Sequence, residues 1–210
     1  MFRNENDHPI MTDIVKLPKP QIDLEFPLMK AIELRRTKRK WKDSNLSEQE
    51  ISNILWCACG VTHEETNRSK SRRTAPSACN SQEIKVYIAL FSGLYLYDEN
   101  NHQLVKVLSE DIREHIGTQK MMRSAPVGLI YVSDFSKLKT FQFKDDDRKW
   151  FTSTTDTGFI SQNVYLYCAA ANLSTAILGL VDRDKLHKIL GLNEDEKIVY
   201  TQVIGKSLDN

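Results

Sequence analysis

The sequence predicts one α+β domain, and three observations support that class. The segments "LSEQEISNILWCACG" and "DRDKLHKILGL" space their apolar residues as amphipathic helices do. The segment "EIKVYIALFSGLYLYDENNHQLVKVLS" alternates apolar and polar residues between turn formers, which is typical of strands. Neither an internal repeat nor a clear linker interrupts the 210 residues, so a single domain is the simplest organisation.

The chain is predicted to start with an extended arm over residues 1–26, followed by the folded domain over residues 27–210. Pro18, Pro20 and Pro27 disfavour regular structure before Leu28. "PLMKAIELR" then predicts a short helix that ends in a run of cations. In the next helix, Ser47 and Glu50 form a capping-box pair, and a polar loop over residues 62–73 follows it.

Three strands are predicted between Ile84 and Leu108, followed by a brief helix at "DIREHIG". "APVGLIYVSD" is almost continuously apolar, which predicts a central strand. A long helix is expected from about Thr154 to Asn172, and "KDDDRKW" before it reads as a solvated loop or a helix start. Because "VYLYCAAA" is apolar on all sides, this helix is expected to be buried in a core or at a subunit interface. "STAILGL" predicts a strand or extended loop, Asp182 caps the next helix, and "EKIVYTQVIGK" is the final strand.

Composition excludes several classes of function. The 29 basic and 28 acidic residues leave a net charge of +1, which argues against a nucleic-acid or membrane-surface protein. No apolar run approaches the roughly 20 residues that span a bilayer, and the first residues do not resemble a signal peptide. The spacing of the four cysteines matches no zinc or redox motif, and no metal site is predicted. We therefore expect a cytoplasmic protein whose cysteines are mostly small core residues.

Three stretches have functional as well as purely structural interpretations. "RRTKRK", residues 35–40, is either a solvated charge cluster or a phosphate clamp built from side chains. "TAPSACNSQE" is either a plain loop or a surface that a flat ligand can approach closely, with amides for an imide-like edge. Gly179, after the long apolar helix, either packs in the core or exposes backbone N–H groups.

Taken together, these stretches resemble the nitroreductase-like flavoproteins over roughly residues 28–206. "ELRRTKRKW" is similar to the Arg-Arg-Ser-x-Arg opening of that family, and "APSACNSQE" to its Pro-Ser-x-x-Asn-x-Gln turn. "TGFISQNVYLYCAAANLSTAILGLVD" resembles the central helix and the strand and turn that follow. The "GLYLYD" hairpin resembles the branch that contains azoline oxidases, although Lys149 and Trp150 stand where those enzymes carry a Lys-Tyr pair.

The resemblance implies a nitroreductase-like fold, with a mostly antiparallel central sheet flanked by helices and a homodimer with a long buried interface helix. It implies FMN as cofactor, with Arg35, Arg36 and Thr37 at the phosphate or ribityl end and Arg39 at the pyrimidine edge. Backbone groups of Leu178, Gly179 and Leu180 would bond the other ring edge. One ring face would be covered by a turn that relatives usually take from the partner subunit, formed here by Pro76, Ser77, Ala78 and Asn80, with Gln82 supporting it. Lys206 would replace cations of a C-terminal arm that this chain lacks, and Glu83 stands where many relatives have proline.

The implied activity is an FMN-dependent oxidoreductase that takes hydride from NAD(P)H and passes it to an organic acceptor by a ping-pong mechanism. Because the chemistry belongs to the flavin, no separate catalytic side chain is required. Two alternatives stay open: a dehydrogenase that oxidises a C–N bond in a peptide or small molecule, and a flavin-binding protein without turnover. A nucleic-acid binder based on the cationic run is a third, weaker possibility.

Overall fold

The computed structural model describes residues 13–67, 69–140 and 142–208. Its main feature is a seven-stranded antiparallel sheet. The strand order is β1-β6-β5-β4-β7-β9-β8. These strands are β1 (Ile14–Lys16), β4 (Ile84–Leu90), β5 (Gly93–Asp98), β6 (Gln103–Leu108), β7 (Val127–Asp134), β8 (Leu173–Leu178) and β9 (Glu196–Lys206). A separate two-stranded hairpin comprises β2 (Val61–His63) and β3 (Arg72–Arg73). The predicted α+β class and antiparallel sheet are thus confirmed.

Helices cover both faces of the sheet. They are α1 (Leu28–Leu34), α2 (Glu48–Cys59), α3 (Asp146–Ala170) and α4 (Arg183–Leu190). On one face, α2 and α3 pack against side chains such as Val86 and Leu129. On the other face, Leu186 of α4 packs with Ile130 and Ile198. Strand β7 lies between β4 and β9 with almost every residue buried, so its predicted central position is confirmed.

Local sequence signals explain where the helices begin. The Ser47 hydroxyl accepts from Glu50 N–H while the Glu50 carboxylate accepts from Ser47 N–H, so the predicted capping box of α2 is confirmed. Asp182 accepts from Lys185 N–H at the start of α4, as predicted. Asp145 accepts from Arg148 N–H and starts α3, which begins at Asp146 rather than near Thr154. The polar "KDDDRKW" segment is therefore a helix start, with carboxylates next to the positive end of the helix dipole.

Only part of the predicted arm can be described, because residues 1–12 lie outside the described residues. Strand β1 in this arm pairs with β6 at one edge of the sheet. Farther along, the carbonyl of Pro18 accepts from the Ser52 hydroxyl of α2 at 2.6 Å and lies 3.0 Å from His102 Nε2. The described part of the arm is therefore attached to the sheet and to α2.

In the described part of the chain, no helix is both long and apolar enough to cross a bilayer. The four cysteines are free thiols. Cys59 and Cys168 are buried, as predicted, whereas Cys79 is exposed. Burial raises the pKa of both Cys57 and Cys59 to about 12, so neither thiol is activated as a nucleophile.

Candidate functional site

The cationic segment, residues 35–40, leaves the end of α1 and runs beside β8, the edge strand of the sheet. The helix ends at Leu34, because the backbone of Arg35 is no longer helical (φ −52°, ψ 118°). Lys38 N–H then donates to Thr175 O of β8 at 3.0 Å, and just beyond the segment Lys42 N–H donates to Lys206 O of β9 at 2.9 Å. The backbone of the segment is thereby fixed along the sheet edge.

Tyr165 of α3 connects the cationic segment to β8. Its hydroxyl accepts from Ile177 N–H at 3.0 Å and lies 3.1 Å from the Thr37 hydroxyl. The Arg35 guanidinium carbon lies 5.6 Å from the centre of the Tyr165 ring, within cation–π range. Arg36 Nη1 donates to the carbonyls of Glu33 and Arg35, both at 2.8 Å. Arg35 and Thr37 are therefore held in place by the same aromatic side chain.

Two cavities adjoin this segment. The first has a volume of about 260 Å³ and is lined by Arg36, Lys38 and Tyr165 together with residues of α3 and β8. The second, of about 320 Å³, is lined by Lys38, Arg39, Lys40, Ser174, Ser207 and Leu208. Among the described residues, the buried Ser174 hydroxyl has no hydrogen-bond partner. A buried donor without a partner beside three cations suits an anion that accepts hydrogen bonds.

A third cavity, of about 190 Å³, brings Arg39 together with residues 178–180, the bend that follows β8. Gly117, Thr118 and Gln119 line its other wall. Thr118 N–H donates to Leu180 O at 3.2 Å, which ties that wall to the bend. Within the described part of the chain, the amides of Gly179 and Leu180 donate to no protein acceptor. This cavity is thus lined by a cation and by residues of a bend whose backbone N–H groups are available as donors.

The 76–82 turn lies apart from the cationic segment, because the two contact different parts of α3. Ala78 N–H donates to the Asp156 carboxylate of α3 at 2.9 Å, whereas the cationic segment contacts α3 at Tyr165. At 1.5 Å per residue, Asp156 and Tyr165 are about 14 Å apart along the helix axis. The turn is strained, since Cys79, Asn80 and Gln82 all have φ values between 51° and 54°.

Side-chain amides stabilise this turn from within. Asn80 Nδ2 and Gln82 Nε2 both donate to Ser71 O, at 2.9 Å and 2.7 Å. The Ser77 hydroxyl accepts from Gln82 N–H at 3.0 Å. Within one chain, therefore, the side-chain amides of Asn80 and Gln82 support the loop. Their assignment to the cofactor stays a prediction.

Two buried carboxyl groups meet beneath the turn. Glu83 is fully buried, and its Oε1 atom has no hydrogen-bond partner among the described residues. Asp156 lies beside it, and burial together with the Glu83 charge raises the pKa of Asp156 to about 7, although the Ala78 N–H opposes that rise. A protonated Asp156 can donate to Glu83, so the pair is satisfied by one proton.

The Lys206 carbonyl accepts from Lys42 N–H just beyond the cationic segment, but the ammonium group of Lys206 forms an ion pair with Glu50 of α2. Its role toward the cofactor stays a prediction. Sequence reasoning also missed Tyr165, Ser174 and Thr118. Tyr165 carried a signal, because a tyrosine in a buried helix usually needs a hydrogen-bond partner. Ser174 and Thr118 carried none.

Comparison with known proteins identifies the family. The sequence model of the Nitroreductase family matches residues 32–206, which is most of the chain. A predicted nitroreductase of Methanocaldococcus jannaschii is 26% identical over 194 residues, covering 88% of this chain and 93% of that protein.

Solved structures with the same fold support this result. The crystal structure of a predicted nitroreductase from Ralstonia eutropha superposes with a TM-score of 0.82 at 32% identity, covering 94% of this chain and 90% of that one. A predicted nitroreductase of Desulfovibrio desulfuricans, solved in complex with FMN, superposes with a TM-score of 0.63 at 18% identity. That match covers 88% of each chain.

Proposed function

The chain belongs to the nitroreductase family, and from this membership and the geometry of its sheet edge we propose that it is an FMN-dependent oxidoreductase. One observation carries the proposal: Arg39 and the 178–180 bend, separated by most of the chain, line the same cavity. FMN needs an anion site for its phosphate and hydrogen-bond donors for its ring edges. The cationic segment offers cations for the phosphate, and Arg39 and the 178–180 bend offer donors for the ring.

The residues present fit the phosphate. Arg35 and the Thr37 hydroxyl are held by Tyr165 at the start of the segment, and Arg36 lines the same cavity as Tyr165. Guanidinium groups can bind phosphate oxygens through two parallel hydrogen bonds. The Ser174 hydroxyl in the neighbouring cavity, which has no partner in the described ranges of the chain, is a further donor. The segment follows the C-terminus of α1, where the helix dipole disfavours anions, so side chains must provide the positive charge.

The residues present also fit a flavin ring. Arg39 would stand at the pyrimidine edge, where its charge favours the reduced, negatively charged form. The amides of Gly179 and Leu180 would donate to the opposite edge. When bound, the flavin would accept a hydride from NAD(P)H and pass it to an organic acceptor such as a nitro compound or a quinone, in a ping-pong sequence.

We also propose that the site is completed by a second copy of the chain. The 76–82 turn contacts a different part of α3 from the cationic segment, so it is available to cover the ring of a neighbouring subunit. Helix α1 packs beside α3, and both expose apolar side chains. Met29 is 74% exposed, Phe151 75% and Phe159 46%, a surface that a homodimer would bury.

Absorption spectroscopy tests the proposal. The purified protein, or the protein after incubation with FMN and desalting, should show flavin absorption with one FMN per chain. Anaerobic addition of NADH or NADPH should bleach this absorption, and a nitro compound or quinone should restore it. Reduction by dithionite but by neither nicotinamide would favour the dehydrogenase or the non-catalytic binder, and the absence of any flavin binding would refute the proposal.

A further inference from the structure

Arg183 connects the bend at residues 178–180 to an irregularity in the neighbouring strand. It is the first residue of α4, and its guanidinium points back to the sheet. Its Nε donates to Ile198 O at 3.0 Å and its Nη2 to Val199 O at 2.8 Å. Its Nη1 donates to Gly179 O at 3.3 Å. One side chain thus bonds three carbonyls from two chain segments.

A β-bulge explains why these carbonyls are available. Tyr131 of β7 pairs with Tyr200 and Val132 pairs with Ile198, so Val199 is an extra residue in β9. A bulge interrupts the ladder and re-aims the local backbone. Arg183 donates to the carbonyl of the extra residue, Val199, and to that of Ile198 just before it, which fixes the guanidinium. A fixed guanidinium then provides a rigid donor for Gly179 O.

The consequence for the bend follows from peptide geometry. The peptide that joins Gly179 to Leu180 is trans, so its carbonyl and its N–H point in opposite directions. With Gly179 O held by Arg183, Leu180 N–H must point away from Arg183. Arg183 lines a cavity on the α4 side, whereas Gly179 and Leu180 line the cavity that contains Arg39.

We propose that Arg183 is a positioning residue for the flavin site, because it orients the Leu180 N–H toward the ring edge. This inference rests on the proposed function. It assigns a role in hydride transfer to a side chain that is not part of the cavity containing Arg39. On the opposite wall of the cavity, Thr118 donates to Leu180 O. The carbonyls on either side of the Leu180 N–H, Gly179 O and Leu180 O, are therefore both fixed. A fixed donor at the ring positions the reacting atom without reorganisation during transfer.

Three proteins test the inference: Arg183→Ala, Arg183→Lys and the control Lys188→Ala, which removes a cation from the same helix and the same cavity lining. Stopped-flow absorbance would follow reduction of bound FMN by NAD(P)H or, if neither nicotinamide reacts, by dithionite. We expect Arg183→Ala to slow reduction roughly tenfold to a hundredfold, the range expected when a positioned group is lost. The apparent KM for the reductant should stay near the wild-type value. Arg183→Lys should be intermediate, and Lys188→Ala should match wild type.

Amide hydrogen exchange provides a readout independent of turnover. In the wild-type protein, added FMN should slow exchange at the Leu180 amide. In Arg183→Ala this FMN-induced protection should be lost, while the slow exchange of the β7 amides, which reports an intact sheet, should persist. Wild-type reduction rates and wild-type protection in Arg183→Ala would overturn the inference. So would the absence of FMN-induced protection at Leu180 in the wild-type protein, a result that needs no variant. If the wild-type protein binds no FMN at all, the proposed function fails instead.

Discussion

Replacing Glu83 with glutamine should reduce the loss of stability that the wild-type protein shows as pH rises from about 4 to about 7, because the Glu83 charge adds to the effect of burial on the pKa of Asp156. In the folded protein, burial and the neighbouring Glu83 raise the pKa of Asp156 to about 7 from an ordinary value of 3.8. Between these two values the folded state holds a proton that the unfolded chain releases. The contribution of this proton to the free energy of unfolding is therefore fully present below pH 3.8 and is lost as pH rises through about 7.

The size of the effect can be bounded. A rise of about three pKa units corresponds to at most about 4 kcal/mol, since one unit is about 1.36 kcal/mol. Solvent screening and local relaxation reduce such values, so we expect roughly 1–2 kcal/mol. In Glu83→Gln the side-chain amide can donate to an ionised Asp156, while its oxygen can still accept from the Ser81 hydroxyl that bonds Glu83 at 2.7 Å. The variant should therefore exceed the wild type in stability at pH 8 and approach it at pH 5.

Urea unfolding followed by circular dichroism at several pH values between 5 and 8 measures this difference. The difference between variant and wild type cancels other titrating groups, including His102, whose pKa is lowered by burial and whose contribution is lost as pH falls. Glu48→Gln, at the exposed start of α2, is the matched control and should keep the wild-type pH profile. Parallel profiles for Glu83→Gln and the wild type would refute the shared proton.

Three further changes test other parts of the account. Arg39→Ala should lower the FMN midpoint potential by roughly 20–40 mV, equivalent to about 1–2 kcal/mol for two electrons. The control Lys40→Ala should leave the potential nearly unchanged. An unaltered potential in Arg39→Ala would exclude Arg39 from the ring edge. Tyr165→Phe removes the acceptor of Ile177 N–H and should weaken FMN binding about threefold to tenfold in a fluorescence titration, so equal affinity would contradict the supporting role of this hydroxyl. Ser47→Ala should cost about 1 kcal/mol of stability through loss of the α2 cap, seen as a melting temperature about 2–4 °C lower, and an unchanged melting temperature would count against the capping box.

Much of the fold follows from local sequence signals. The capping box at Ser47, the cap at Asp182 and the alternation from Ile84 onward each specify an element through neighbouring residues, and each was predictable. The elements that were missed depend on tertiary contacts. Strand β1 has three residues and exists because it pairs with β6, and β2 and β3 are too short for any periodicity to show.

The start of α3 was placed too late because its first turns are polar. Residues such as Thr152 and Thr154 have weak helix propensity, and "KDDDRKW" suggested either a solvated loop or a helix start. Tertiary packing overrides that preference, since Ser153, Asp156 and Thr157 are buried. Helix formation there depends on the sheet beneath it, which local sequence does not reveal.

The candidate site divides in the same way. The cationic run and Gly179 were identifiable as motifs, and the structure brings Arg39 and Gly179 to one cavity. The groups that hold those motifs were not identifiable, because Tyr165 and Arg183 act through contacts that depend on the folded sheet and, for Arg183, on a bulge in β9. Sequence thus suggests the groups that would meet a ligand more readily than the groups that orient them.

Comparing FMN with riboflavin tests the central claim most directly, because the two flavins differ only in the phosphate. Fluorescence titration of flavin-free protein should show that the wild type binds FMN at least about tenfold more tightly than riboflavin, as charge-assisted hydrogen bonds of about 1.5–3 kcal/mol imply. A variant that combines Arg35→Ala and Arg36→Ala should bind both flavins with similar, weak affinity. Equal affinity of the wild-type protein for FMN and riboflavin, or no affinity for either, would contradict the assignment of the cationic segment to the FMN phosphate.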